Sequence, residues 1–135
     1  AYRNGVFSME RKEIIPPGME IIREKFQYAP GLLVDGTLYI AGQVGRDEAL
    51  NVVEGTEAQF RQAFENVKKV LTEAGASFDD VVEMVTYHID MEELQLFMSV
   101  KNEYFGKHVP TWTGVGVTAL AMPGLLVEIK CTAKI

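Results

Sequence analysis

Apolar positions along the chain recur with two different periods. Between Thr56 and Ala74, the residues Phe60, Ala63, Phe64, Val67, Val70, Leu71 and Ala74 fall three and four apart. That spacing lays them along one face of an α-helix. Thr56 followed by Gln59 has the spacing of a capping box, and Gly75 stands where a helix end needs left-handed backbone. Glu65 and Lys69 form an i,i+4 pair on the wet face. Asp90 with Glu93 repeats the cap spacing and opens a second helix through Phe105, whose apolar face is Leu94, Phe97, Met98, Tyr104 and Phe105. Elsewhere the pattern is that of strands. Arg11 to Ile15 reads as a short one, stopped by Pro16-Pro17-Gly18. Gly31 to Val34 and Leu38 to Ala41 flank Asp35-Gly36, a hairpin signal. Asp79 to Ile89 is rich in β-branched residues, and Trp112 to Ala119 and Leu125 to Lys134 close the chain around Met122-Pro123-Gly124. Residues 1–10 carry no period and read as a loose arm; Glu48 to Gly55 is a polar loop.

The predicted order is β-β-β-α-β-α-β-β, an α+β arrangement of about six strands in one domain spanning 1–135. Two amphipathic helices cover only one face of such a sheet. Leu38 to Gly42 and Val81 to Ile89 are apolar on both sides, so the second face needs cover from other copies of the chain. An oligomer is expected.

Composition narrows the function. The 135 residues are 47% hydrophobic and 24% charged, ordinary for a folded domain. Thirteen Lys+Arg against nineteen Asp+Glu leave a net charge of −6, which disfavours nucleic-acid and anionic-membrane partners because both need clustered cations. No apolar run approaches the ~20 residues of a membrane helix, and no basic start followed by an apolar run is present, so a cytoplasmic location is expected. A single cysteine excludes an internal disulfide and a cysteine-cluster metal site.

Few residues carry chemistry by spacing alone. His88 and His108 have no third ligand at metal spacing, and Ser8, Ser77 and Ser99 sit in no nucleophile elbow. Cys131 alternates with Ile129 and Ala133, as a buried small apolar residue would. Glu128 shares a face with Leu126 and Lys130; it is either a solvated strand carboxylate or, if a neighbouring subunit covers that face, a general acid or base. Trp112 is a core aromatic or the wall of a ligand cleft. Alternation groups Trp112, Gly114, Gly116 and Thr118 on one face, with open space beside the indole, and Thr113, Val115, Val117 and Ala119 on the other. The smoothly apolar second set is expected under the helices, and Trp112 in a cleft between subunits.

The Ala41-Gly42-Gln43-Val44-Gly45 turn, the Asn66-Val67 helix and the tail from Val109-Pro110-Thr111-Trp112-Thr113-Gly114 to Val127-Glu128-Ile129 resemble the Rid (YjgF) family, also called endoribonuclease L-PSP-like. The resemblance runs from about Phe26 to Ile135. It implies a chorismate-mutase-like fold with a mixed sheet, a homotrimer with clefts between subunits, and hydrolysis of reactive enamines or imines without metal or cofactor. Carried over residue by residue, it implies Glu128 as the group that activates water, with Tyr28, Gly42, Gln43, Trp112, Thr113 and Gly114 around the substrate. The chain departs from the family's Pro-Ala-Arg-Ser motif, which reads Pro110-Thr111-Trp112-Thr113 here. Indole has one N–H and no charge, so it cannot replace an arginine that grips a carboxylate. The chain thus resembles an arginine-lacking branch: a deaminase-like hydrolase of altered specificity. The alternatives are a non-catalytic small-molecule-binding trimer and, disfavoured by charge, a ribonuclease. Arg46, just past the Gly-Gln turn, is the candidate for a replacement cation.

Overall fold

The computed structural model describes residues 2–3, 6–7 and 10–135. In chain order its elements are β1 (Tyr2–Arg3), β2 (Val6–Phe7), β3 (Arg11–Ile14), α1 (Glu20–Lys25), β4 (Gly31–Val34), β5 (Thr37–Val44), α2 (Thr56–Glu73), β6 (Val81–His88), α3 (Leu94–Tyr104), β7 (Thr111–Gly116) and β8 (Val127–Lys134). β1 and β2 pair with each other; the rest of the arm expected over residues 1–10 lies outside the described residues, Glu10 apart. The other strands form one six-stranded mixed sheet in the order β3-β4-β5-β8-β6-β7. All its pairs are antiparallel except β6 with β7, which α3 connects as a parallel crossover.

The long helix forms where the 3.6-residue period is longest. α2 buries Phe60, Ala63, Phe64, Val67, Val70 and Leu71, and it stops at Gly75, whose φ of +77° only glycine adopts without strain. The hairpin turns at Asp35 and Gly36, both at positive φ (+49° and +76°). Leu38, Ile40, Met84, Ile129 and Cys131 of the sheet are buried in the same core as the apolar face of α2. Phe97 of α3 is central: its ring lies 5.4 Å from both Phe60 and Phe64 and 4.8 Å from His88. A fully buried ring of this kind contributes about 1.5–3 kcal/mol by leaving water.

Several local expectations are overturned, each by a tertiary partner. The Thr56–Gln59 capping box does not form. Gly55 caps α2 without a side-chain bond, and the buried Gln59 amide donates to the carbonyls of Gly124 (3.0 Å) and Val53 (3.3 Å) while accepting from the Leu126 N–H. One side chain thereby ties two loops to α2, as an amide with no access to water must. Glu65 accepts from the Tyr104 hydroxyl at 2.8 Å and Lys69 reaches Glu48 at 3.3 Å, so Glu65 and Lys69 do not pair. Asp90 does cap, through the Glu92 N–H, but it caps a 3-10 turn at Met91–Glu93. Starting α3 at Leu94 turns Val100 inward and leaves Met98 exposed. The short α1, with only Ile22 buried and no side-chain cap, was missed after the Pro-Pro-Gly turn.

Helices cover one face of the sheet. The other presents Leu32, Tyr39, Val85, Tyr87 and Val115, of which Tyr39 is 51% and Val115 38% exposed. No helix is long and apolar enough to cross a membrane.

Candidate active site

Alternation along β8 puts Val127, Ile129, Cys131 and Ala133 beneath the helices and Glu128, Lys130, Thr132 and Lys134 on the opposite face. Cys131 is the small buried residue expected; burial pushes its thiol up to about 12, so it is no nucleophile at neutral pH. Glu128 pairs with Val44 on one side and Tyr87 on the other. Between Ile40 and Gln43 the β5 strand is bulged, and the Glu128 carboxylate lies against Gly42. A Cβ on Gly42 would stand 2.5 Å from Glu128 Oε2 and 2.7 Å from Cδ. A side chain there would push the carboxylate aside, so β5 forms one wall of the carboxylate's niche. Gly42→Ala is expected to displace the carboxylate and lower turnover about tenfold with the circular-dichroism spectrum unchanged. Full activity in that variant would mean that the niche has no part in the reaction.

Burial raises the pKa of Glu128 above the usual carboxylate value, and the Arg46 guanidinium offsets part of the rise. Such a carboxyl is suited to accept and return a proton.

The expected site residues fall into separate groups. Tyr28 and Gln43 line a small pocket between α1, β5 and α2, with Ile22, Asn66 and Lys69. Gln43 is buried and its amide donates to the Ala41 carbonyl at 3.2 Å. Thr113 is exposed and pairs with Val85, on the same face as Glu128. Trp112 and Gly114 lie on the helix face. This corrects the expected side of β7: Thr113 and Val115 are open, and the indole packs in its own subunit. Parallel pairing sets Trp112 beside Met84, which is fully buried. The indole centroid is 5.9 Å from that of Phe97, and the Lys101 ammonium stands 4.8 Å above the ring. Its Nε1–H donates to Thr86 Oγ1 at 2.9 Å, and that oxygen is 2.7 Å from His88 Nε2. Burial lowers the His88 pKa, so the ring is neutral and its Nε2 can accept the hydroxyl proton. The indole itself lies behind Gly114, and Met91 lies beside Gly116. Alternation established which residues share a face, but not which face the helices cover.

The sequence reading named Asn66 only as part of a motif and gave it no role, yet it shapes the turn after Gly42-Gln43. Asn66 Nδ2 donates to the carbonyls of Val44 and Arg46, both at 2.9 Å. A polar residue on the buried side of α2 was the available signal. His108 is exposed, and among the described residues no three His, Cys, Asp or Glu side chains gather to hold a metal ion.

Comparison with known proteins agrees with this architecture. Residues 21–135 match the family model described as Endoribonuclease L-PSP. The RutC family protein YjgH of Escherichia coli is 36% identical over 129 residues, covering 94% of this chain and 97% of that one. The human 2-iminobutanoate/2-iminopropanoate deaminase is 31% identical over 108 residues, 78% of each chain. The solved structure of protein YJGH superposes with a TM-score of 0.85 at 36% identity, covering 93% of this chain and 97% of that one. The crystal structure of RidA from an Antarctic Psychrobacter gives a TM-score of 0.77 at 33% identity, covering 80% and 88%.

Proposed function

The chain belongs to the endoribonuclease L-PSP (RutC/Rid) family, and from that footing we propose that it hydrolyses the C=N bond of a small, reactive imine or its enamine tautomer. The observation that carries the reading is the half-buried Glu128 carboxylate, held against Gly42 with its pKa raised by burial. Relatives named 2-iminobutanoate/2-iminopropanoate deaminase support the reaction class.

The steps balance without any further reagent. Glu128 takes a proton from water as the water oxygen bonds to the imine carbon. The C=N π pair moves to nitrogen, which takes that proton back from Glu128, and a carbinolamine results. Glu128 then takes the hydroxyl proton as the C–N bond breaks and passes it to the departing amine, and the products are a carbonyl compound and ammonia. Specificity is altered relative to arginine-bearing relatives, because Trp112 is turned inward and offers the substrate nothing. That same orientation weakens the rival reading, a flat ligand stacked on the indole. The net charge of −6 weighs against ribonuclease action. The direct test is release of ammonia from imines generated in situ by an amino-acid oxidase, with and without the protein.

The working form is proposed to be a homotrimer, in which the sheet face bearing Tyr39, Val85, Tyr87 and Val115 is covered by other copies. Light scattering at micromolar concentration is expected to give three times the 15.0 kDa chain mass. A monodisperse monomer would refute the assembly and leave those side chains facing water.

A further inference from the structure

Two amides are buried on the otherwise apolar face of α2, and neither has a donor to spare. Gln59 is 2% and Asn66 6% exposed, among Phe60, Ala63, Phe64 and Val67. The Gln59 amide donates to the carbonyls of Val53 and Gly124 while its oxygen accepts from the Leu126 N–H. Asn66 donates to the carbonyls of Val44 and Arg46, and its own oxygen accepts from Gln62 at 2.9 Å. Every backbone partner lies in one of two segments, 44–53 or 124–126. Those two segments bracket Glu128. Val44 is its pairing partner on β5, and Leu126 precedes it by two residues on the chain leading into β8. Gln59 holds both segments. It reaches β8 through Leu126, and it reaches the end of β5 through Val53, whose N–H donates to the Gly45 carbonyl at 3.0 Å. A side chain on Gly45 would collide with Gln59, so helix and strand end meet closely there.

We propose that Gln59 is a positioning residue for Glu128: from the helix side of the sheet it fixes where β8 begins, and so where the carboxylate stands against Gly42. The proposal rests on the hydrolase reading above and deepens it by naming the residue that sets the geometry of its base. Gln59 itself does not meet the substrate, because Glu128 faces the opposite side of the sheet. A base must be held within about 0.5 Å of its productive place. Three fixed hydrogen bonds specify that place, whereas an apolar side chain of the same size would pack without choosing a register. Burial in the niche raises the Glu128 pKa, so a carboxylate released from it titrates closer to an ordinary one.

The test follows the Glu128 carboxyl in the full chain, by carbon-13 NMR of protein labelled at the glutamate carboxyls, with Glu128→Gln identifying its resonance. Gln59→Met keeps the length of the side chain and removes all three bonds. It is expected to bring the Glu128 midpoint down toward the ordinary carboxylate value. In the imine assay it should lose about tenfold in kcat, with KM changed less than twofold. Gln59→Asn, an amide one methylene shorter, should move both readouts the same way by less, and it supplies the result if the methionine variant does not fold. Val67→Ala controls for a loosened core. Val67 is fully buried on the same helix, and its truncation should leave the midpoint in place and kcat within twofold of wild type. An unmoved Glu128 midpoint in the folded Gln59 variants overturns the proposal. So does an equal displacement in Val67→Ala, which would make Gln59 one packing residue among many. The NMR readout is independent of turnover. If the wild type hydrolysed no imine yet Gln59→Met displaced the Glu128 titration, the hydrolase reading would fail while the positioning role stood.

Discussion

Glu128→Gln is expected to lower imine turnover by about 10²–10⁴-fold, the usual contribution of a positioned acid or base, while the fold and its assembly persist. The substitution keeps the shape that fits against Gly42 and removes only the ability to take a proton. The pH dependence follows from the direction of the shift. Burial raises the folded-state pKa of Glu128 above the ordinary carboxylate value, so the base form, and with it activity, appears only as pH climbs past the usual carboxylate range. Removing Arg46 takes away the opposing influence and should move that acid limb further up. Stability runs the other way. A carboxyl whose folded pKa is raised binds its proton more tightly when folded, so its stabilising contribution is complete below the unfolded pKa and lost as pH rises through the folded one. At neutral pH the ionised group is therefore a burden, and the Gln variant should unfold in urea at the same concentration or a higher one. Turnover within a few-fold of wild type would remove Glu128 from the reaction.

The elements visible in the sequence are those that local chemistry decides. α2 could be read from its period, the hairpin from Asp35-Gly36 and the stop at Gly75, because each rests on neighbours in the chain. The errors lie where a distant partner competes. Gln59 could cap its own helix, but it is buried against the loops at Val53 and Gly124–Leu126, and those carbonyls take its amide. Glu65 has a lysine one turn on, yet Tyr104 of the neighbouring helix reaches it. The contact between Glu128 and Gly42 joins residues far apart in the chain through a bulge, which no period announces. It could be anticipated only from a resemblance. Trp112 shows the limit of strand alternation, which fixes parity but is silent on side until the neighbouring strand is known.

That side leads to the last expected result. Trp112→Arg should destabilise the protein by about 3 kcal/mol or more, the scale of losing a large packed aromatic, and should not create a carboxylate site. Three losses combine. The ring leaves contact with Phe97 and Met84, and Thr86 Oγ1 loses the indole N–H. The new guanidinium must also sit where Lys101 already stands 4.8 Å from the ring centre, so an attractive cation–π contact becomes a repulsion between like charges. Trp112→Phe separates the terms. It keeps an aromatic face for Phe97 and Lys101 but leaves the Thr86 oxygen short of one donor, a loss of about 1 kcal/mol for a neutral bond. Urea unfolding of the two variants should therefore show Arg well below Phe, and Phe modestly below wild type. An Arg variant as stable as wild type, able to bind 2-oxobutanoate more tightly, would mean that residue 112 faces the substrate after all. The packing of the indole under α3 predicts the reverse.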